Sequence, residues 1–395
     1  MAISSRVREF MTRASWIRRM FEEAIRLRAK YGEDAVTDLS LGNPELEPPT
    51  AFTRALRSAV DSDVPGLHRY MPNVGYTETR EVVAAQLSRE TGLDLATDDV
   101  IMSCGAAGGL NVVLKAILEP GEEVIVLTPF FPEYEFYIDN HCGVMRLTPT
   151  RPDFHLDLEA IEKNLGPRTK ALILNSPNNP TGRMYDRDEI AALGELLKAR
   201  APHAYLLSDE AYKRIVFDGK KFESAFGLYP RSIAVNSHSK DLAIPGERIG
   251  YIALSPEMDK AERQELFAAM AFLTRTLGYI NAPALMQRVV RGLQGVSVDP
   301  REYEMRRDLI YGALKRFGYE VEKPDGAFYI FPRSPDPDDL RFIQRLAARC
   351  VLTVPGSGFG VPGYFRIAYC VSLRRLERAL PALEAIAKEY GLSPR

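Results

Sequence analysis

The sequence predicts an α/β fold in which a seven-stranded, mostly parallel sheet is covered by helices on both faces. Seven short apolar runs rich in β-branched residues recur with helical patterns between them, which is typical of a buried parallel sheet. After about residue 280, long helices lead into shorter strands, and this change predicts a second, smaller α+β domain. The seven runs are Asp99–Ser103, Glu123–Leu127, Val144–Leu147, Ala171–Leu174, Tyr205–Leu207, Ser232–Val235 and Ile249–Leu254.

The helices between these runs follow from apolar periodicity and from signals at their ends. A helix over Ala107–Leu118 ends at Pro120-Gly121, and one over Arg187–Ala199 follows Asp186, a residue type that caps helix N-termini. Earlier in the chain, the stretch 16–31 has the spacing of an amphipathic helix. Its apolar side collects Ile17, Met20, Phe21, Ala24, Ile25 and Leu27.

The C-terminal part reads as a separate set of elements. Helices are predicted around 283–294 and 299–317, strands near Ala327–Phe331 and Tyr364–Ala368, and a closing helix over Leu373–Tyr390. These elements predict the smaller α+β domain.

A chain of 395 residues is long enough for two domains. We predict an N-terminal arm over 1–45 that packs partly with the small domain. The large domain is predicted over 46–282 and the small C-terminal domain over 283–395.

Composition excludes several classes of function. The 51 basic and 53 acidic residues give a formal net charge of −2, so no basic surface for nucleic acid is expected. No apolar stretch is long enough to span a membrane, and the charged N-terminus has no secretory signal pattern. The four cysteines show no Cys-x-x-Cys spacing, which predicts no metal site and reduced thiols in a cytoplasmic protein.

The segment Ser237–Gly250 places Lys240 among hydroxyl side chains and sets Arg248 just before an apolar strand. A partly desolvated lysine, or one near another cation, has a lowered pKa and a free amine that acts as a nucleophile. Arginine stays protonated and binds carboxylates or phosphates through paired donors. The pattern predicts a lysine that bonds covalently to a compound carrying a phosphate, although ordinary surface loops share this composition.

Small or polar residues follow three more of the predicted strands, at the edge where doubly wound sheets bind ligands. The turn Cys104–Leu110 predicts either a phosphate site at a helix N-terminus or close helix–strand packing. The loop Asn175–Gly182 holds two prolines and three asparagines, and predicts a rigid ligand-binding loop or a plain turn. The carboxylate of Asp209, at the end of a predicted strand, is expected either to pair with a bound cation or to cap a helix.

These motifs resemble one known family when they are taken together and in order. Asn-Asn-Pro-Thr-Gly at 178–182, Ser-Asp-Glu-x-Tyr at 208–212, Ser-x-Ser-Lys at 237–240 and the downstream Arg248 are similar to the class I/II aminotransferases of fold type I, which depend on pyridoxal phosphate. Within that class the chain most resembles the aspartate aminotransferase group. The resemblance implies the predicted sheet, a bound pyridoxal 5′-phosphate and ping-pong amino-group transfer.

The resemblance also assigns residues to the cofactor. It implies that Lys240 forms an internal aldimine with the cofactor aldehyde and later moves the proton between Cα and C4′. Asp209 pairs with the pyridine nitrogen, and Tyr212 and Asn179 bond the phenolate oxygen of the ring. The phosphate and the ring face are assigned to Gly105, Ala106, Ala107, Ser237, Ser239, Arg248 and, for stacking, Phe131.

Substrates and a partner subunit follow from the same resemblance. Arg366 matches the arginine that binds the substrate α-carboxylate with two donors, assisted by Gly42 and Asn179. Tyr70 matches a tyrosine that reaches the phosphate of the neighbouring subunit, which implies a homodimer. The implied substrates are an amino acid and a 2-oxo acid, with glutamate and 2-oxoglutarate as one pair.

Alternatives stay open at this stage. The same fold and lysine serve β-elimination lyases that use pyridoxal phosphate, and a non-catalytic protein that binds this cofactor is an alternative from a different class. Ala107 stands where similar bacterial enzymes often carry a lysine for a distal carboxylate, so the donor is aspartate, an aromatic residue, alanine or a broad set. Arg69 and Arg275 are other candidates for binding such a carboxylate.

Overall fold

The computed structural model of the chain describes residues 2–13, 16–62 and 64–393. Its strands are β1 Thr37–Asp38, β2 Val100–Ser103, β3 Glu123–Thr128, β4 Val144–Pro149, β5 Thr169–Asn175, β6 Tyr205–Asp209, β7 Ser232–Ser237, β8 Gly250–Leu254, β9 Tyr329–Ile330, β10 Val351–Leu352, β11 Val354–Pro355 and β12 Phe365–Ala368.

Helices precede, separate and follow these strands. They are α1 Ser5–Arg13, α2 Trp16–Tyr31, α3 Thr50–Val60, α4 Thr77–Thr91, α5 Gly105–Ile117, α6 Glu133–Asp139, α7 Leu158–Asn164, α8 Arg187–Arg200, α9 His238–Asp241, α10 Lys260–Thr276, α11 Ala284–Arg291, α12 Pro300–Arg316, α13 Asp339–Ala347 and α14 Leu373–Glu389. The predicted helix over 16–31 is present as α2, while the side chains of Ile17, Met20 and Phe21 lie outside the described residues.

Seven strands form one sheet in the order β2-β8-β7-β6-β5-β3-β4. Strand β8 runs antiparallel to both of its neighbours, and the other pairs are parallel. All seven predicted runs are members of this sheet, so the predicted α/β fold with a mostly parallel sheet is confirmed. Parallel pairing brings the carboxyl ends of β5 and β6 together, with Asn175 opposite Asp209.

Helix α5 packs closely on this sheet because its first turns carry glycines. A Cβ on Gly109 would lie 2.7 Å from Cγ1 of Val235, so the helix would have to move away from β7. The helix begins at Gly105, two residues before the predicted start, and Gly105 has a φ of +71° that favours glycine. Close packing therefore explains Gly109, while the positive φ explains Gly105.

Two smaller sheets consist of strands from the C-terminal part of the chain together with β1 from the N-terminal part. Strands β11, β12 and β9 form an antiparallel sheet, and β1 pairs in parallel with β10. Ala24 and Leu27 of α2 belong to the same buried apolar cluster as residues of α12, α13 and α14. The domain boundaries at 45 and 282 stay a prediction.

No helix among the described residues combines the length and the apolar character that crossing a membrane requires.

Candidate active site

A cavity of about 350 Å³ lies at the carboxyl ends of the central strands. Backbone pairing in the sheet places the ends of β5, β6 and β7 next to one another, and α5 and the Gly42 loop close the sides. Twelve of the predicted site residues line it: Gly42, Ala106, Ala107, Phe131, Asn179, Asp209, Tyr212, Ser237, Ser239, Lys240, Arg248 and Arg366.

Lys240 extends from the short helix α9 into this cavity. Its Nζ donates a hydrogen bond of 2.9 Å to the carbonyl of Gly42 and lies 5.4 Å from the ring centre of Phe328. Burial lowers the pKa of Lys240 to about 8, with the Cys370 thiol opposing this shift and Arg248 adding to it. A substantial fraction of the side chain is therefore an unprotonated amine at neutral to mildly basic pH.

Asp209 stands at the end of β6 on the floor of the cavity. Its Oδ2 accepts a hydrogen bond of 2.6 Å from the hydroxyl of Tyr134, and its Oδ1 accepts one from the amide of Ala211 at 3.3 Å. Burial raises the pKa of Asp209, and the bond from Tyr134 opposes that effect. A cation in the cavity would pair with this carboxylate and stabilise its charged form.

The asparagine-rich loop after β5 is held by its own side chains. Oδ1 of Asn175 accepts a hydrogen bond of 2.8 Å from the backbone amide of Asn179, and its Nδ2 donates one of 3.1 Å to the carbonyl of Asp209. These bonds link the loop to the end of β6 and fix Asn179 at the cavity wall. The loop therefore lies at the cavity wall, as a ligand-binding loop would, while its rigidity stays a prediction.

Arg366 enters from β12 and is buried, with 2% of its surface exposed. Its Nη1 donates to Oδ1 of Asn179 at 3.0 Å, and its Nη2 donates to the carbonyl of Ser40 at 2.5 Å. The guanidinium lies 4.5 Å from the ring centre of Tyr329, and its Nε has no hydrogen-bond partner. Burial lowers the pKa of Arg366, as expected for a cation without a carboxylate partner.

Hydroxyl and guanidinium donors collect at the N-terminus of α5. The hydroxyls of Ser237 and Ser239 are 2.7 Å apart, and Nη1 of Arg248 lies 3.5 Å from that of Ser239. A Cβ on Gly105 would lie 2.8 Å from Nη2 of Arg248, so a side chain at this position would displace the guanidinium. These donors, with the free backbone amides of the first helical turn, form a suitable site for a phosphate.

Aromatic side chains form the remaining walls. The rings of Phe131 and Tyr134 contact edge to face, with centroids 5.5 Å apart. On the opposite side, the hydroxyls of Tyr212 and Tyr329 are 3.0 Å apart. Burial raises the pKa of Tyr212 well above its ordinary value, so its hydroxyl stays protonated and available as a donor.

Some candidates lie outside the cavity. Tyr70 is 84% exposed and does not line the cavity. Gly105 does not line it either, and its role is to leave space for the guanidinium of Arg248. Arg69 and Arg275 are also exposed, and neither lines this cavity in the described part of the chain.

Sequence reasoning missed three tyrosines of the cavity. Tyr134 and Tyr137 come from α6, and Tyr329 belongs to β9. Asn175, which ends β5, lies in the loop that the sequence marked as ligand-binding, although it was not singled out there. The three tyrosines carry no local signal, since their positions depend on how α6 and β9 pack against the sheet.

The charges in the cavity are unbalanced. In the part of the chain that the structure describes, no ion pair joins Lys240, Arg248 or Arg366 to a carboxylate, and none joins Asp209 to a cation. Asp209 and Arg366 are buried, and buried charges without partners are costly unless a ligand supplies the partner. The arrangement therefore fits a ligand with two anionic groups, one protonated nitrogen and an aldehyde within reach of an amine. Pyridoxal phosphate together with an amino acid meets this description.

Comparison with known proteins gives the same family as the sequence motifs. The family model for aminotransferase class I and II matches residues 34–383. A probable aspartate aminotransferase of Methanocaldococcus jannaschii is 34% identical over 88% of this chain and 92% of its own. An aromatic-amino-acid aminotransferase of Thermococcus litoralis is also 34% identical, over 99% of this chain and all of its own.

Solved structures show the same relation. An amino transferase from Eubacterium rectale superposes with a TM-score of 0.94 at 34% identity, covering 99% of both chains. The aspartate aminotransferase of Thermus thermophilus with maleate superposes with a TM-score of 0.87 at 30% identity, covering 98% of this chain and all of that one.

Proposed function

The chain belongs to the aminotransferase class I and II family, and from this membership we propose that it transfers the amino group of an L-amino acid to a 2-oxo acid with pyridoxal 5′-phosphate bound in the cavity. Glutamate and 2-oxoglutarate form the proposed second pair. The observation that carries the proposal is the set of unpaired charges: Lys240, Arg248, Arg366 and Asp209 surround one cavity and lack partners of opposite charge among the described residues.

Each part of the cofactor has a matching group in the cavity. Arg248, Ser237 and Ser239 would hold the phosphate with the first amides of α5, and Asp209 would keep the pyridine nitrogen protonated. Tyr212 and Asn179 would donate to the ring oxygen, with Phe131 on the ring face. Bound in this way, pyridoxal phosphate supplies an electron sink for the electrons left when a Cα proton is removed.

Lys240 is the residue proposed to hold the cofactor covalently and to move the proton at the substrate Cα. Its lowered pKa, about 8, suits both tasks because the amine must be unprotonated to react or to accept a proton. The carbonyl of Gly42 accepts a hydrogen bond from Nζ and directs the amine across the cavity.

Arg366 is proposed to bind the α-carboxylate of the substrate. Its Nη1 is already oriented by Asn179, and its side chain is stacked between the rings of Tyr329 and Phe359, which lie 4.5 and 4.8 Å from Cζ. A planar guanidinium fixed in this way offers two donors to a carboxylate and orients the Cα–H bond toward Lys240.

We further propose that the enzyme is a cytoplasmic homodimer in which Tyr70 reaches the neighbouring active site. This aromatic side chain is 84% exposed and so is accessible to a neighbouring subunit. Tyr70→Phe is expected to weaken cofactor retention about tenfold, measured by dialysis against buffer without cofactor. Unchanged retention would remove the support for a shared site.

A single-turnover experiment tests the proposed reaction and names the donor. The purified holoenzyme is mixed with single amino acids from a panel of acidic, aromatic and small neutral types, and its visible absorption is followed. Loss of the visible band with release of one equivalent of 2-oxo acid, reversed by 2-oxoglutarate, is the expected result. Release of ammonia and pyruvate from a cysteine conjugate, without reversal, would instead indicate a lyase.

A further inference from the structure

Tyr329 lies between the residues proposed for the cofactor and those proposed for the substrate. Its strand β9 pairs antiparallel with β12, where Tyr329 stands opposite Ala368, two residues beyond Arg366. The side chain is buried, with 3% of its surface exposed, and it lines the cavity. Nothing in the sequence motifs around Lys240 or Asp209 points to this residue.

The contacts of Tyr329 reach both sides of the cavity. Its hydroxyl lies 3.0 Å from that of Tyr212, and its ring centre lies 4.5 Å from Cζ of Arg366. A Cβ on Gly42 would lie 1.8 Å from the Tyr329 hydroxyl, so glycine is required where this hydroxyl meets the loop. The carbonyl of the same Gly42 accepts the hydrogen bond from Lys240.

The direction of the bond between the two hydroxyls follows from proton counting. A hydroxyl donates one hydrogen bond. If Tyr212 donates to the ring oxygen of the cofactor, the proton between the two tyrosines must come from Tyr329. Burial raises the pKa of both tyrosines, so both protons are present. A hydroxyl that accepts a hydrogen bond becomes a stronger donor.

Resting on the proposed function, we propose that Tyr329 is a positioning residue with two separable roles. Its hydroxyl orients and strengthens the donation from Tyr212 to the ring oxygen of the cofactor. Its ring holds the guanidinium of Arg366 in the plane that receives the substrate carboxylate. Binding of the substrate and charge on the cofactor ring are thereby linked through one side chain.

The test uses the holoenzyme and the pH titration of its visible absorption. Donation to the ring oxygen stabilises the negative charge that this oxygen carries in the deprotonated form, so a weaker donor raises the pKa of the bound cofactor. Tyr329→Phe is expected to raise the pKa of the bound cofactor by about 0.5 unit, which is less than the rise expected for Tyr212→Phe. KM for the amino acid should change less than about twofold. Tyr329→Leu, which also removes the ring, is expected to raise KM about tenfold.

Two comparisons separate positioning from a general loss of packing. The double variant of Tyr212→Phe and Tyr329→Phe should titrate like Tyr212→Phe alone, because Tyr329 acts through Tyr212. Tyr369→Phe is the matched control: this buried tyrosine belongs to the same apolar cluster, and its hydroxyl donates to the carbonyl of Ala327 at 3.4 Å. The control should titrate like the wild type.

The outcomes distinguish this inference from the proposed function. A wild-type holoenzyme that titrates and transfers amino groups, with Tyr329→Phe titrating identically or adding fully to Tyr212→Phe, overturns the role of Tyr329 alone. A wild-type protein with neither a visible band nor amino-group transfer overturns the proposed function, and the role of Tyr329 with it.

Discussion

Two largely buried lysines, 27 positions apart in the sequence, lie in regions with opposite electrostatics. Lys240 faces the cavity, where its amine bonds only the carbonyl of Gly42. Lys213 lies behind the cavity, where its Nζ is 3.0 Å from Oε2 of Glu90 and 3.5 Å from Oε2 of Glu210. Burial lowers the pKa of Lys240 to about 8; for Lys213 the same burial is outweighed by Tyr251 and Glu210, which raise its pKa.

The residues around Lys213 form what we term the ion cluster: Glu90, Glu210, Lys213, Arg214 and Asp241. In this cluster every charge has a partner of opposite sign. In the cavity, by contrast, the described charged side chains have no partner of opposite sign. Pairing, rather than burial, therefore separates charges that stabilise the fold from charges that are available to bind a ligand.

The two regions are neighbours along the chain as well as in space. Asp209 and Tyr212 face the cavity, while Glu210 and Lys213, each the next residue, join the ion cluster. Substitutions in the two regions should therefore have opposite signatures, even at adjacent positions.

The largest effect is expected for Lys240→Ala. The variant should lose amino-group transfer by about 10⁴-fold or more, because both the anchor and the proton-transfer group are removed. The unfolding free energy of the cofactor-free protein should not fall, since no ion pair is broken. Stopped-flow absorbance and urea unfolding measure the two quantities, and transfer at the wild-type rate would contradict the assignment.

The second prediction concerns the ion cluster. Lys213→Met should lower the unfolding free energy by about 3–5 kcal/mol, because Glu90 and Glu210 lose a buried partner. Cofactor affinity of the folded protein should change little. Urea unfolding of the cofactor-free protein provides the measurement. A variant with full stability but no cofactor binding would erase the distinction between the two regions.

A smaller effect, on substrate binding, is expected for Arg366→Lys. Loss of two directed donors should raise KM for the amino acid about 100-fold, with little change in stability. Arg307→Lys is the matched control, since Arg307 is equally buried but pairs with Asp218 at 2.7 Å. The control should lose stability and keep KM; the reverse pattern would contradict the account.

The smallest predicted change is one of pH dependence. Since only the unprotonated amine attacks an aldehyde, cofactor capture by the cofactor-free protein should accelerate as pH rises and reach half its maximum near pH 8. The rate of appearance of the visible band measures this. A rate that still rises about tenfold between pH 8 and pH 9 would show an amine with the ordinary pKa of about 10.4.

The strands and the residues that follow them could be predicted from local sequence patterns. Apolar runs, and turns that end in Asp209 or Lys240, are local patterns, and parallel pairing then brings strand ends together. The contacts of Tyr134 with Asp209 and of Tyr329 with Tyr212 join residues 75 and 117 positions apart, so no local pattern contains them. Pairing of charge is equally non-local, because Glu90 reaches Lys213 across 123 positions.

The most direct test of the claim that Lys240 holds the cofactor covalently is to trap the cofactor on the protein. Borohydride reduction of the purified holoenzyme, followed by peptide mapping by mass spectrometry, should place the reduced cofactor on Lys240 alone, and an excess of amino donor should prevent the labelling. A label on Lys213 or another lysine, or no label on an enzyme that still transfers amino groups, would contradict the account.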